Sequence, residues 1–173
     1  MGVPIDQGRK GNVDIFVTLT TDKGPVKGEV QDGKFLGALE ITGWSWGMAS
    51  QSHVSTGQAS ARRQHKPLRL YRNIDAATCP LASALSQNQT VKELTLTCRK
   101  AGTGTPLEYL IIRLKKGRVV SLDLEYLDQT SGGSGREVVE ITYQEIEIEY
   151  TPQSKEGLSN ATRTWTDALT QSQ

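Results

Sequence analysis

Residues 37–47 run Gly37-Ala38-Leu39-Glu40-Ile41-Thr42-Gly43-Trp44-Ser45-Trp46-Gly47, and the way this stretch is read decides the fold. Read as a β-strand, it places Leu39 and Ile41 on one face at the period of two that a pleat imposes. Thr42, Trp44 and Trp46 fall on the other. Both faces are then apolar towards its C-terminal end. Two exposed indoles would make a large apolar patch, so such a strand needs cover on both sides, from its own domain or from another subunit. Two readings follow: a core strand of a β-domain, or a strand near an assembly surface.

Upstream, Asn12 to Thr20 alternates in the same way. Val13, Ile15, Val17 and Leu19 lie on one face, and Asp14, Phe16 and Thr18 on the other. The charged, glycine-bearing segment between these strands reads as a surface loop, with a short strand at Gly28 to Val30. Downstream, Met48 to Ala61 is small, polar and non-periodic. It is expected to be a long excursion without secondary structure of its own. Arg62 to Tyr71 resumes extended character, and Pro67, which offers no ladder donor, argues for an edge position or a bulge there.

Asp75 to Gln87 predicts the single helix. Thr78 or Cys79 is placed to cap it, Pro80 suits its first turn, and Leu81 and Leu85 stack at i, i+4 on the packing face. Four alternating strands follow: Leu94, Leu96 and Cys98; Leu110, Ile112 and Leu114; Val120, Leu122, Leu124 and Tyr126; and a last strand from Glu137 to Tyr150. In that last strand the spacing slips from two to three between Tyr143 and Ile146, which predicts a β-bulge at Gln144 or Glu145 that bends it. The pattern is mainly β: a β-barrel or sandwich of two antiparallel sheets, with one short α-helix packed on the side. Residues 1–150 form one domain. Residues 151–173 form a polar C-terminal tail that frays in the free protomer, with Trp165 as a candidate anchor on another subunit.

The chemistry-bearing residues are sparse. The 173 residues carry a net charge of +1, too balanced to steer the chain towards nucleic acid or an anionic membrane. No run approaches the roughly 18 apolar residues of a membrane span, and the N-terminus lacks the charged and apolar regions of a cleaved signal. Two cysteines, Cys79 and Cys98, exclude a disulfide-framed scaffold and read as buried thiols. The two histidines, His53 and His65, read as solvated loop and edge residues. No metal-ligand, nucleophile-elbow or phosphate-loop motif occurs, so no catalytic residue, cofactor or metal is expected. Glu145, Glu147 and Glu149 form an acidic row fit to meet Arg113, Lys115 and Lys116 on a neighbouring strand or subunit; otherwise the row is an ordinary solvated face. Arg62, Arg63, Arg69 and Arg72 form a second basic cluster. The candidates for folding and assembly are Trp44, Trp46, His53, Arg62, Arg63, Glu145, Glu147, Glu149 and Trp165.

Several residues together resemble the Hcp family, the haemolysin co-regulated proteins of the bacterial type VI secretion system. The correspondences are Val13-Asp14-Ile15-Phe16, Leu39-Glu40-Ile41 running into Trp44-Ser45-Trp46-Gly47, and the Asp75 to Leu85 helix with its early proline. Leu94-Thr95-Leu96 before Arg99-Lys100-Ala101-Gly102, Glu108-Tyr109-Leu110, and Val138 to Tyr150 with its slip continue the likeness, which spans about Val13 to Tyr150. The resemblance implies a non-enzymatic tube protein: a homohexameric ring, rings stacked into a tube, and effector proteins carried in the lumen, where the ring acts as a chaperone. It also implies a spike protein at the tip, a contractile sheath outside, and export from the bacterial cytoplasm without a cleaved signal peptide. The long loop after Gly47 would reach a neighbouring subunit or ring. Two other classes stand beside it. A phage-like tail-tube subunit would share the barrel and ring, whereas a monomeric binding protein or hydrolase would need a reactive pocket.

Overall fold

The computed structural model describes residues 13–52, 59–100, 106–126, 135–153 and 161–169. Its strands are β1 (Val13–Thr21), β2 (Gly24–Val26), β3 (Leu39–Glu40), β4 (Gly43–Ser45), β5 (Met48–Ser52), β6 (Ala59–His65) and β7 (Leu68–Asn73), followed by β8 (Val91–Lys100), β9 (Leu107–Glu125), β10 (Arg136–Thr142), β11 (Glu145–Tyr150) and β12 (Arg163–Ala168). Among the described residues there is one α-helix, α1 (Thr78–Ser86), and one 3₁₀ turn, Gly33–Phe35.

Every strand pairing is antiparallel. One sheet runs β2-β1-β8-β9-β11-β12, with β3 also on β1; the other runs β9-β10-β7-β4; and β5 and β6 form a separate two-stranded ribbon. Of the two forms left open by the alternation, barrel or sandwich, the described strands build the sandwich. The two sheets are joined through β9, whose first half pairs with β8 and β11 and whose second half pairs with β10.

The 37–47 stretch is not one strand covered on both faces. It breaks after Glu40 and changes sheet, β3 pairing with β1 and β4 with β7. Because the chain turns between the sheets, residues of opposite parity end on the same core: Leu39 and Ile41 are buried in it, and Trp44 and Trp46 pack against it. Apolar residues from both faces thus pack on one core within the chain, Leu39 and Ile41 fully and Trp44 and Trp46 in part.

The slip between Tyr143 and Ile146 has the same origin. It falls where the predicted last strand divides into β10 and β11, which lie in opposite sheets, so the bend is real but is a crossing rather than a bulge within one strand. Beside it, β9 crosses at Lys116-Gly117 without a turn, Lys116 adopting a φ of +55°. A Cβ on Gly117 would lie 2.2 Å from the Thr142 carbonyl oxygen, so the two crossing segments approach too closely for any side chain.

The remaining departures are local. A register shift opposite Glu140 and Ile141 puts Val119, rather than Val120, into the core, while Leu124 and Tyr126 run out beyond it and are exposed. Residues 28–30 form no strand; the short strand is β2 at Gly24–Val26, and Gly28 N–H instead donates to the Gly37 carbonyl. Phe16, on the outer face of β1, stacks on Phe35 at 4.6 Å between centroids. The Arg99 guanidinium lies over both rings and pairs with Asp14 and Asp32, pinning this loop to the sheet. The excursion from Met48 is a β-ribbon rather than an unstructured loop. Pro67 stands between β6 and β7, outside both ladders.

Helix α1 begins at Thr78, with Ala77 as its N-cap residue, so neither Thr78 nor Cys79 is the cap. One turn earlier, Asp75 accepts the Ala77 N–H through Oδ1 at 2.8 Å, and Thr78 Oγ1 accepts the Asp75 N–H at 3.2 Å. The packing face is Thr78, Leu81 and Ala84; Leu85 is 36% exposed, because i, i+3 rather than i, i+4 faces the sheet here. Cys98 is buried as expected, whereas Cys79, in the first turn of the helix, is exposed.

Beneath the helix start, Arg72 and Glu137 form an ion pair with both side chains at 0% exposure, and Arg72 also pairs with Asp75. Among the described side chains the expected basic cluster is therefore dispersed. Arg72 points inward, Arg69 points outward to Glu140, and Arg63 joins β6 to β12.

Candidate functional site

The end of β6, the start of β11 and the C-terminal strand meet at one cluster. Within residues 151–173, expected to fray, residues 163–168 instead add β12 to the edge of β11, from Glu145↔Ala168 to Tyr150↔Arg163. Alternation along β12 turns Trp165 and Asp167 to the same side. There Trp165 stacks on His65 with 6.4 Å between ring centroids and an interplanar angle of 16°, and tilts against Trp46 at 5.9 Å.

Asp167 is the hub of the polar contacts. Arg63 grips it with both arms, Nε to Oδ2 at 2.5 Å and Nη2 to Oδ1 at 2.6 Å, and His65 Nε2 lies 2.8 Å from Oδ2. The hydrogen bond from Arg63 holds the Asp167 carboxyl below the usual carboxylate range, with burial opposing and His65 adding to the effect. The other ring nitrogen of His65, Nδ1, is 3.0 Å from the Tyr143 hydroxyl, which also receives Trp46 Nε1–H and donates to the Lys66 carbonyl at 3.2 Å. Burial pushes the Tyr143 phenol up, and the bond from Trp46 opposes that shift. The expectation of a solvated edge histidine is overturned, since the His65 side chain is 2% exposed.

The acidic row is satisfied within the chain. Arg113 on β9 donates through Nη1 to Glu147 at 2.5 Å and Glu149 at 2.7 Å, while Lys116 donates to Glu145 at 2.7 Å. The register explains this, with Glu147 directly opposite Arg113 on the outer face of the sheet. A groove of about 460 Å³ runs beside these pairs, lined by residues that include Arg113, Lys115, Glu147, Thr166 and Ala168.

Of the nine candidates, the structure brings Trp46, Arg63 and Trp165 together in the cluster around Asp167. Glu145, Glu147 and Glu149 lie on the opposite, outward face of the same sheet, and Trp44 packs on the core beside Cys98. His53 and the Arg62 side chain lie outside the described residues. Sequence reasoning missed His65, Tyr143 and Asp167 as a unit, because their partners stand 78 and 102 positions apart in the chain. The one available signal was the alternation that places Asp167 on the Trp165 face.

Among the described residues no group of three or more His, Cys, Asp or Glu side chains is set to hold a metal ion, and no helix is long and apolar enough to cross a membrane. What the geometry offers is a two-sheet sandwich with a separate β5–β6 ribbon and a terminal strand fastened to one sheet edge: the class of a mainly-β sandwich protein. A family model described as "Type VI secretion system effector, Hcp" matches residues 16–150. Protein hcp1 of Pseudomonas aeruginosa is 32% identical over 152 residues, an overlap that covers 84% of this chain and 87% of that protein. A solved structure described as a type six secretion system protein superposes with a TM-score of 0.78 at 26% identity, over 90% of this chain and 95% of the other. Hcp1 from Salmonella typhimurium shares the fold, with a TM-score of 0.70 at 24% identity over 91% and 95% of the two chains. The chain belongs to the Hcp family, the tube proteins of type VI secretion.

Proposed function

We propose that this protein is the structural subunit of a type VI secretion tube: six copies close into a ring, rings stack into a tube, and effector proteins are held in the lumen. It works with a spike protein at the tip and a contractile sheath outside. It is made in the bacterial cytoplasm and leaves with the tube without a cleaved signal peptide. Residues 1–150 supply the tube-building domain, and the following segment returns to it through β12.

The observation that carries the reading is family membership across residues 16–150, on a sandwich whose β5–β6 ribbon pairs with neither sheet among the described residues. A ribbon that belongs to neither sheet is suited to contact a neighbouring subunit or ring. Trp46, Arg63 and Trp165 set the position of its base, and Trp44 holds the crossing strand from which it departs. Negative-stain electron microscopy with native mass spectrometry tests the reading, the expected result being six-fold annuli and a hexamer mass. A lone monomer at every protein and salt concentration would sink it.

A further inference from the structure

The cluster at the ribbon base contains more than a static ion pair, because its hydrogen bonds can be completed in only one protonation state of His65. Asp167 is ionised and accepts only, so the proton on the near nitrogen must belong to His65 Nε2. The Tyr143 hydroxyl has a single hydrogen to give. If it donates to the Lys66 carbonyl while accepting Trp46 Nε1–H, then Nδ1 of His65 must donate to it as well, and the ring is an imidazolium. If the ring is neutral, Nδ1 becomes an acceptor. The tyrosine proton must then turn to it, withdrawing from Lys66.

We propose that His65, Tyr143 and Asp167 form a proton-responsive clasp that fastens β12 to the base of the β5–β6 ribbon, tight when His65 is charged and looser when it is neutral. Among the described residues, the cluster holds four titratable or charged groups, His65 included, and one carbonyl neighbour. Asp167 on β12 faces Nε2; Arg63, from the same strand as His65, shares that carboxylate; Tyr143 faces Nδ1; and Lys66 contributes its carbonyl. Trp46 and Trp165 cover the ring, so its charge is screened poorly by water and its loss is felt by the neighbouring bonds. The direction follows from these contacts. The charged clasp is weakened as pH rises through the loss of the His65 proton, and is lost separately in acid, when Asp167 takes up a proton. Arg63 stays charged throughout, so β12 loosens above the transition without detaching. The inference concerns the chain itself and stands whether or not copies assemble.

The test uses full-length protein carrying His53→Gln, which leaves His65 as its one histidine. Nitrogen-15 spectra of the imidazole are recorded at about pH 5 and about pH 9, on either side of ordinary histidine titration. Amide hydrogen exchange in residues 163–168, corrected for intrinsic rates, is followed over the same range. The expected result is two protonated ring nitrogens in the acidic state and Nε2–H alone in the basic state, with protection of β12 falling roughly fivefold between them, as a charge-assisted bond becomes a neutral one. Asp167→Asn removes the charge that faces His65 Nε2 while Tyr143 and the ring stay in place, and should abolish most of the pH dependence of protection over this range. A neutral ring protonated on Nδ1, β12 protection that ignores the ring's protonation, or an unchanged pH response in Asp167→Asn would each overturn the proposal.

Discussion

Ile41 and Thr42 are adjacent in the chain yet bond to opposite sheets: Ile41 N–H donates to the Ile15 carbonyl on β1 at 3.0 Å, and Thr42 N–H donates to the Tyr71 carbonyl on β7 at 2.8 Å. One peptide unit thus spans the two layers of the sandwich. The side chains on either side of it, Ile41 and Trp44, serve the same core although their parity differs.

Truncating the indoles beyond this crossing should be costly in proportion to their burial. Trp44→Ala and Trp46→Ala are expected to lower stability by about 3 kcal/mol each, towards the lower end of the range for large aromatic deletions because both rings are only partly buried. Trp46→Phe keeps most of the packing but removes the donor to Tyr143, and should cost about 1 kcal/mol. Urea denaturation of the three variants checks the order; equal losses for Trp46→Ala and Trp46→Phe would contradict it.

Gly117→Ala tests the second crossing. The added methyl would sit 2.2 Å from the Thr142 carbonyl oxygen, where backbone rather than a flexible side chain must move, so a loss of about 2–3 kcal/mol is expected. Gly33→Ala is the control, since nothing lies within 4 Å of the position its methyl would take. A melting temperature unaltered in the Gly117 variant would show that the two segments are not in contact as described.

The buried Arg72–Glu137 pair should be intolerant of losing one member. Glu137→Gln or Arg72→Met is expected to cost about 3–5 kcal/mol, because the remaining charge is left in the interior, though Asp75 softens the loss when Glu137 is the residue removed. Replacing both with apolar residues should cost less than the sum of the single changes. A double-mutant cycle by denaturation measures the coupling; simple additivity would mean that the two groups act independently.

The pH dependence of stability has a calculable sign at Asp167. Its folded pKa is depressed, chiefly by the Arg63 hydrogen bond, so its contribution is present above the unfolded value of about 4 and is lost as pH falls through the lower folded value. Denaturation midpoints measured from about pH 6 to about pH 2 should therefore fall less steeply in Asp167→Asn and in Arg63→Ala than in the parent. Curves of the same slope in all three would refute the assignment.

How much of this was legible beforehand depended on whether a pattern was local. The alternation in Leu94, Leu96 and Cys98 and in Leu110, Ile112 and Leu114 reports directly on strands whose inner faces are buried. The slip before Ile146 marked a crossing, although period alone cannot separate a bulge from a change of sheet. The β5–β6 ribbon was hidden because its sequence is small and polar and carries no apolar alternation. Leu85 was misassigned because nine helical residues offer too few turns to distinguish i+3 from i+4. The cluster at His65 was illegible for a different reason: hydrogen bonds between residues about a hundred positions apart leave no periodic trace.

The passage of β9 from one layer into the other gives the molecule a covalent seam. Along that line the layers are joined by main chain as well as by contacts between side chains, and the crossings at Ile41-Thr42 and Tyr143-Gln144 add further stitches. A pull applied to either layer is carried into the other through peptide bonds, so a wall assembled from such units would resist shear as a laminate sewn through its thickness does.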